Sequence, residues 1–305
     1  DMGTSRPNVI DYAREAVERM RGDATGTALV PEARATLSRD PFPHLVVENI
    51  LPRELYETLD QAFPSDDYVM DGAPFEDNRT YLRTSDQSLA DPDLPPLWRE
   101  FIETNTTSSV LESAIAIWAD EIARCHPGLE ANFGKPLEAF ESARRRGKGD
   151  SPANRGADVM IDCQFGVNSR VQQVGTPRGA HVDAGSKLFS ALLYFRNEKD
   201  EQEGGQYELF RLRRGPFPRS RMKKVPSRYI ERAKQIPVRG NSLVMWINTP
   251  DAVHAVGQRG VTPNSRRYIA ISGECFGGAR PSDFFSHFDA WDSPLGRLRA
   301  SIGLF

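Results

Sequence analysis

The feature that most constrains the fold of this chain is a change of pattern near residue 157. From there the sequence consists of short segments rich in β-branched and aromatic residues, separated by turn signals such as Gly204-Gly205. Many short segments at this spacing predict a β-sandwich or barrel. We expect strands at 158–167, 169–174, 187–196, 206–211, 235–239, 242–247, 252–257 and 266–276. Nothing repeats at a fixed period, which excludes a solenoid.

The first 156 residues have a mainly helical pattern instead. Apolar residues recur at three- and four-residue steps, as on one face of a helix. We expect helices at 9–20, 31–37, 52–63 and 97–124, strands at 42–51 and 80–83, and a basic loop at 142–155. The expected division is an N-terminal helical and strand elaboration (1–156), a β core (157–280) and a C-terminal packing segment (281–305), together forming one integrated domain. The fold class is therefore mainly β with helices, α+β.

Composition limits the classes of function. At 305 residues, with 39% hydrophobic and 27% charged residues, the chain is typical of a soluble globular protein. The net charge of −3 indicates neither nucleic acid nor membrane as a partner. Three scattered cysteines and the lack of a long apolar run favour a cytoplasmic location. The oligomeric state stays open between monomer and homodimer.

A group of candidate metal ligands lies within the predicted β region. His181 and Asp183 are two residues apart, so on an extended segment their side chains point the same way while Val182 points away. His254 follows a predicted strand and can supply a third ligand. Two histidines and one carboxylate on one face of an ion are typical of a non-haem iron(II) centre with open positions for reactants.

The order of these motifs resembles a known family. The His-x-Asp motif is followed by the apolar strand at 187–195, the Gly204-Gly205 turn, the segment Gly240-Asn-Ser-Leu-Val, His254 and finally Arg267-Tyr268. This order is similar to the iron(II)/2-oxoglutarate-dependent dioxygenases, most of all to their prolyl-4-hydroxylase-like branch. The resemblance implies a double-stranded β-helix, or cupin-like jelly roll, with His181, Asp183 and His254 as the three iron ligands.

The same resemblance implies a basic residue that binds the distal carboxylate of 2-oxoglutarate from the last core strand. Arg267 matches the family position, and Arg266 is the alternative. Strand alternation places Arg267 with Ile269 and Ile271 on one face, and Arg266 with Tyr268 and Ala270 on the other. The pattern alone does not say which face points inward, and the family match favours Arg267.

Other polar residues are weaker candidates. Gln164, Asn168 and Arg170 lie just upstream of the motif and could line the cavity, and Trp246 could form one wall. Three further histidines are interpreted as structural or solvated rather than as ligands: His44, His126 and His287.

The activity that the resemblance implies is oxidation of a C–H bond, with Fe(II), 2-oxoglutarate and O2 as cofactor and cosubstrates and succinate and CO2 as products. Asp183 occupies the position that related halogenases leave small, so hydroxylation is favoured over halogenation. We expect a small-molecule substrate such as a specialised metabolite, an amino acid or a sugar derivative. The basic stretch 211–224 suggests a lid over an anionic substrate, although a solvated loop explains it as well. The alternatives are a protein or peptide side-chain hydroxylase, a catalytically silent jelly-roll binding module, and a zinc hydrolase.

Overall fold

Two mainly antiparallel sheets face each other and share an inner layer of apolar side chains. The computed structural model describes residues 6–24, 28–147, 150, 152–196, 204–213 and 225–275. The strands β1 to β11 are Arg34–Ser38, His44–Glu48, Thr80–Arg83, Ser142–Arg144, Val159–Asn168, Lys187–Phe195, Tyr207–Leu212, Ile230–Ile236, Ser242–Ile247, His254–Val256 and Arg266–Cys275. The α-helices α1 to α7 are Val9–Arg21, Arg53–Gln61, Asp66–Met70, Ser85–Leu89, Pro96–Thr104, Ser108–Cys125 and Leu129–Phe133.

The larger sheet has the strand order β1-β2-β9-β6-β11-β5-β3, with β4 pairing parallel to β5. The smaller sheet has the order β10-β7-β8. Isolated bridges extend the smaller sheet, because residues 171–181 run antiparallel to residues 254–262. These bridges join Val171 to Thr262, Gly175 to Arg259 and His181 to His254.

This connectivity confirms the predicted double-stranded β-helix. From β5 onward the chain passes repeatedly from one sheet to the other: β5, β6, β9 and β11 belong to the larger one, while segment 171–181, the consecutive strands β7 and β8, and β10 belong to the smaller one. The larger sheet therefore places β11 between β5 and β6, and the smaller sheet places β10 between segment 171–181 and β7. Such closure of two sheets around a core is the jelly-roll arrangement.

Two apolar clusters, which we call the outer and the inner core, lie on the two faces of the larger sheet. The outer core fills the space between this sheet and the helices, with Trp98 of α5 and Trp118 of α6 almost fully buried. The inner core lies between the sheets and contains Phe42, Tyr194, Tyr207, Leu209, Ile236, Val238, Val244, Trp246, Ala252 and Tyr268. Its packing depends on one glycine, because a Cβ atom at Gly166 would lie 2.2 Å from the ring of Tyr268. Both faces of β5, β6, β9 and β11 are thus covered.

The structure corrects several expectations about secondary structure. The helix predicted at 31–37 is wrong, since Arg34–Ser38 forms β1 and pairs with β2. The expected helix at 97–124 is interrupted between α5 and α6, because Asn105 and Thr106 bond to the carbonyls of the preceding turn. The expected strand at 169–174 is reduced to an isolated bridge at Val171.

The expected basic loop at 142–155 contains the short strand β4 and a 3-10 helix at Pro152–Arg155. Of the predicted lid, residues 214–224 lie outside the described residues, as do His287 and the C-terminal segment 281–305. In the described part of the chain no helix is long and apolar enough to cross a membrane.

Candidate metal centre

The predicted ligands His181, Asp183 and His254 converge in the structure. Their ligand atoms all lie within 4.8 Å of one another, and they are the one group of this kind among the described residues. The Asp183 Oδ1 atom is 3.7 Å from His181 Nε2 and 3.8 Å from His254 Nε2. A divalent ion placed among these atoms would need only small side-chain adjustments, since metal–ligand distances are about 2.0–2.2 Å.

Backbone pairing brings the two histidines together. The N–H group of His181 donates to His254 O and the N–H group of His254 donates to His181 O, both at 2.9 Å. The two imidazole rings consequently lie with centroids 4.3 Å apart. His181 thus reaches the site from the edge of the smaller sheet, and His254 reaches it from β10.

Each ligand is oriented by a further hydrogen bond. The Nδ1 atoms of His181 and His254 lie 2.8 Å from Gly179 O and 2.9 Å from Ala252 O, which directs both Nε2 atoms into the site. The Ser190 hydroxyl on β6 donates to Asp183 Oδ2 at 2.9 Å. Supporting bonds of this kind fix the tautomer and the ring orientation of metal ligands.

The protonation states suit a cation. Burial, with further contributions from neighbouring charges, lowers the pKa of His181 to about 2, and burial lowers the pKa of His254 to about 4. Burial alone would raise the pKa of the Asp183 carboxyl, but the surrounding cations, Lys187 first among them, outweigh burial and hold that pKa well below its ordinary value. Near neutral pH the site therefore offers two neutral imidazoles and one carboxylate, which is the form that binds metal.

A cavity between the two sheets is lined by the three candidate ligands and by Arg266, but not by Arg267. The Arg266 side chain is buried and donates to Asn168 Oδ1 at 2.8 Å and to the Tyr194 hydroxyl at 2.9 Å. Arg267 lies on the helix-covered face of β11, where its guanidinium binds Asp60 Oδ1 at 2.6 Å and stacks over the ring of Phe63. The structure therefore corrects the expected placement: the alternative residue, Arg266, lines the cavity, and Arg267 does not.

The alternation along β11 explains this correction. Arg267 shares its face with Ile269 and Ile271, and those two side chains belong to the outer core under the helices. Arg266 shares its face with Tyr268 and Ala270, which pack with the inner core. The more apolar face of this strand thus points away from the cavity, because the helices cover that side of the sheet.

Sequence reasoning found some of the cavity wall and missed other parts. Gln164, Asn168 and Trp246 line the cavity, while Arg170 instead stacks over the ring of Phe75. His44 and His126 are buried and bond to backbone carbonyls outside the group of ligands.

Residues that the motif search missed include Arg178, Lys187, Ser190 and Tyr207, which line the cavity, and Tyr194, whose hydroxyl accepts a hydrogen bond from Arg266. Ser190 and Tyr194 are four residues apart on β6, so strand alternation alone places their side chains on the same face of the sheet. That signal could have been read from the sequence once the inward face of β6 was known.

Comparison with known proteins gave matches at the level of structure. Neither family models nor curated proteins match the chain. Among solved structures, it is similar to a prolyl-4-hydroxylase from Pseudomonas putida, with 12% identity, 76% of this chain and 92% of that chain covered, and a TM-score of 0.38. A prolyl 4-hydroxylase structure from Phytophthora capsici has 13% identity, coverages of 98% and 79%, and a TM-score of 0.42.

A third similar structure is the epimerase SnoN in complex with Fe3+, alpha ketoglutarate and nogalamycin RO, with 11% identity, coverages of 76% and 78%, and a TM-score of 0.41. The fold assignment itself rests on the strand order described above.

Proposed function

We propose that this chain is an iron(II)/2-oxoglutarate-dependent oxygenase that hydroxylates a C–H bond of a small molecule. The observation that carries the proposal is that one cavity between the two sheets is lined both by the His181, Asp183 and His254 group and by Arg266, whose guanidinium is held by Tyr194. The first group suits a metal ion with open positions, and the second suits a carboxylate.

Buried polar atoms without a hydrogen-bond partner support the fit of metal and cosubstrate. Within the described part of the chain, His181 Nε2, Arg266 Nε and the Tyr207 hydroxyl are buried without a hydrogen-bond partner. An unpaired buried polar group costs about 1–3 kcal/mol, so such groups call for a ligand or an ordered water. A metal ion at His181 Nε2 and a dicarboxylate between the ion and Arg266 would satisfy them.

The residues of the chain then have separate tasks. His181, Asp183 and His254 would hold the iron, while Arg266, supported by Asn168 and Tyr194, would bind the distal carboxylate of 2-oxoglutarate. When bound, the iron and the cosubstrate supply the oxidising power from O2, and 2-oxoglutarate leaves as succinate and CO2. Burial of the ligands keeps water away from the reacting groups.

A zinc hydrolase is the rival that would use the same three ligands. Such an enzyme needs a general base beside the metal-bound water. Of the described residues that line the cavity, Asp183 is the one carboxylate, and it belongs to the group of ligands itself. The lining therefore favours an oxygenase over a hydrolase.

Turnover tests this proposal. Purified protein is incubated with Fe(II), ascorbate, 2-oxoglutarate and O2, with and without a panel of small metabolites and proline-containing peptides. We expect succinate formation that is stimulated by a small molecule and accompanied by a product 16 mass units heavier, the mass of one oxygen atom. Succinate formation no higher than that of the His254→Ala variant under every condition would contradict the proposal. Stimulation by the peptides alone would move the substrate class to a protein side chain.

A further inference from the structure

Two cations, Arg178 and Lys187, lie on the open side of the candidate metal centre. Arg178 Nη2 is 3.7 Å from Asp183 Oδ1, and Lys187 Nζ is 3.6 Å from Asp183 Oδ2. The side chain of Arg178 is 51% exposed and that of Lys187 is 27% exposed, whereas the Asp183 side chain is only 5% exposed. The two cations therefore reach the buried carboxylate from the solvent side of the cavity.

Metal binding would change the electrostatic environment of these two cations. Asp183 Oδ1 is the carboxylate oxygen closest to both histidine Nε2 atoms, so an ion in the centre would engage it. The negative charge of Asp183 would then be shared with a divalent cation, and that cation would repel Arg178 and Lys187. No other carboxylate of the described residues lies within ion-pair distance of either one.

The net charge of the loaded cavity also leaves Arg178 and Lys187 without a counter-charge. The described lining carries three cations, Arg178, Lys187 and Arg266, and a single carboxylate, Asp183. A divalent metal ion and doubly charged 2-oxoglutarate cancel each other, so the loaded cavity keeps about two positive charges in excess. Because Arg266 is buried and bonds to Asn168 and Tyr194, the excess is available at the exposed side.

We infer that Arg178 and Lys187 bind an anionic group of the substrate, a carboxylate or a phosphate, and hold it beside the metal centre. This inference rests on the proposed function and names its substrate class. A guanidinium can donate two parallel hydrogen bonds to such a group, and an ammonium adds a point charge. Leu82, Leu192 and Val256 also line the cavity and offer apolar contact to the carbon skeleton of the same molecule. The two cations thereby select against neutral analogues.

The test uses inorganic phosphate as the ligand and Mn(II) in place of iron. With protein in excess over Mn(II) and with 2-oxoglutarate present, a phosphate held by Arg178 and Lys187 lies close enough to the paramagnetic ion for its ³¹P relaxation to be enhanced. We expect saturable enhancement in the wild type, and a phosphate affinity at least about tenfold weaker in the Arg178→Gln/Lys187→Gln variant, as expected for the loss of charge-assisted hydrogen bonds.

Matched variants control for charge and folding. The Arg239→Gln/Lys135→Gln variant removes the same two charges at positions that do not line the cavity, and it should bind phosphate as the wild type does. The Arg178→Lys/Lys187→Arg variant keeps both charges and should restore most of the affinity. A wild type without saturable enhancement, or a double glutamine variant that binds phosphate as tightly as the wild type, overturns the inference.

A parallel measurement separates this inference from the proposed function. The visible band of the anaerobic Fe(II)/2-oxoglutarate complex should persist in the double glutamine variant, because removing two cations does not weaken the attraction for a metal ion. A wild type with this band but without phosphate binding refutes the anion site alone. A wild type that binds phosphate but lacks the band refutes the proposed oxygenase and leaves the anion site standing.

Discussion

At the scale of single residues, the pair Arg266 and Arg267 best illustrates how position decides role. The two arginines are adjacent on β11, yet Arg266 lines the cavity and bonds to Tyr194, whereas Arg267 binds Asp60 under the helices. The family resemblance implied that one of them faces the metal ligands, and alternation predicted that only one can. Which face points inward depends on where the helices pack, and that is a tertiary fact.

Replacing each of these arginines by glutamine should separate their roles. We expect Arg266→Gln to weaken 2-oxoglutarate binding by about tenfold to a hundredfold, because a carboxylate loses charge-assisted hydrogen bonds worth about 1.5–3 kcal/mol. Arg267→Gln should change the affinity by less than about twofold, since it loses only a partly exposed pair with Asp60. Anaerobic titration of the Fe(II) protein with 2-oxoglutarate measures both affinities. The reverse order of effects would restore Arg267 as the cosubstrate ligand.

The hydroxyl of Ser190 should contribute to metal affinity although it is not a ligand. It donates to Asp183 Oδ2 and so fixes the carboxylate orientation. We expect Ser190→Ala to weaken Mn(II) binding by about tenfold, which is the low end of what loss of such a supporting bond costs. Ser272→Ala is the matched control, because Ser272 lines the same cavity and shares no hydrogen bond with the three ligands that the structure records. Equal Mn(II) affinities of the two variants, measured by electron paramagnetic resonance, would refute the role of Ser190.

At the scale of elements, Arg259 joins the end of β5 to the connection that leads into β11. Its side chain is fully buried and donates to Ser169 O at 2.7 Å, to Asn78 Oδ1 at 2.9 Å and to Asn264 O at 3.0 Å. Three chain segments, which contain Asn78, Ser169 and Asn264, are thus held by one guanidinium. A cation buried in this way contributes stability only while its hydrogen bonds are intact.

Arg259→Met should therefore destabilise the fold more than an exposed arginine would. We expect a loss of about 2–4 kcal/mol in the free energy of unfolding, because several buried carbonyl and amide oxygens lose their donor. Arg239→Met removes an exposed arginine that pairs with Glu48, and its effect should stay within about 0.5 kcal/mol. Urea denaturation followed by circular dichroism compares the two variants. Equal midpoints would show that Arg259 does not hold these segments together.

Secondary-structure prediction succeeded where the periodicity of the sequence was strong. It failed where contacts between distant segments determine whether a segment forms a helix or a strand. The strands that carry the site, β6, β9 and β11, were predicted within a residue or two, because buried strands are long apolar runs. Arg34–Ser38 has good helix formers yet forms β1, because pairing with β2 outweighs local propensity. The segment 171–181 contains two glycines and a proline, so its sequence has no strong strand pattern. In the structure it pairs through isolated bridges.

At the scale of the whole molecule, the helices and the β core share one apolar cluster. The outer core contains Val9 and Trp118 from the N-terminal region together with Phe165 and Ile269 from the β core. We therefore propose that the predicted segments 1–156 and 157–280 form one integrated domain. The helical elaboration then has a direct bearing on the site, because it determines which face of β11 is left for the cavity.

Acid should destabilise the metal-free protein well above the pH at which carboxylates titrate. Because the pKa of His254 is lowered to about 4 and that of His181 to about 2, the unfolded chain binds more protons than the folded chain below pH 6.5. The free energy of unfolding should therefore fall as pH drops from about 6.5 to 4, by about 3 kcal/mol from His254 alone.

Chemical denaturation of chelator-treated protein at several pH values measures this dependence. The His181→Gln/His254→Gln variant serves as control, and its stability should change much less over the same interval. A wild type whose stability is constant between pH 6.5 and 4 would contradict the picture of two buried neutral imidazoles.

The central claim is that one cavity binds Fe(II) and 2-oxoglutarate together. Its most direct test is the visible absorption of the anaerobic protein during addition of Fe(II) and then 2-oxoglutarate. The His181→Ala variant removes one candidate iron ligand, and the Arg267→Gln variant is the control with the cavity unchanged. We predict a weak metal-to-ligand charge-transfer band in the wild type and in Arg267→Gln, and none in His181→Ala. Fully metallated wild-type protein that shows no such band with 2-oxoglutarate would contradict the claim.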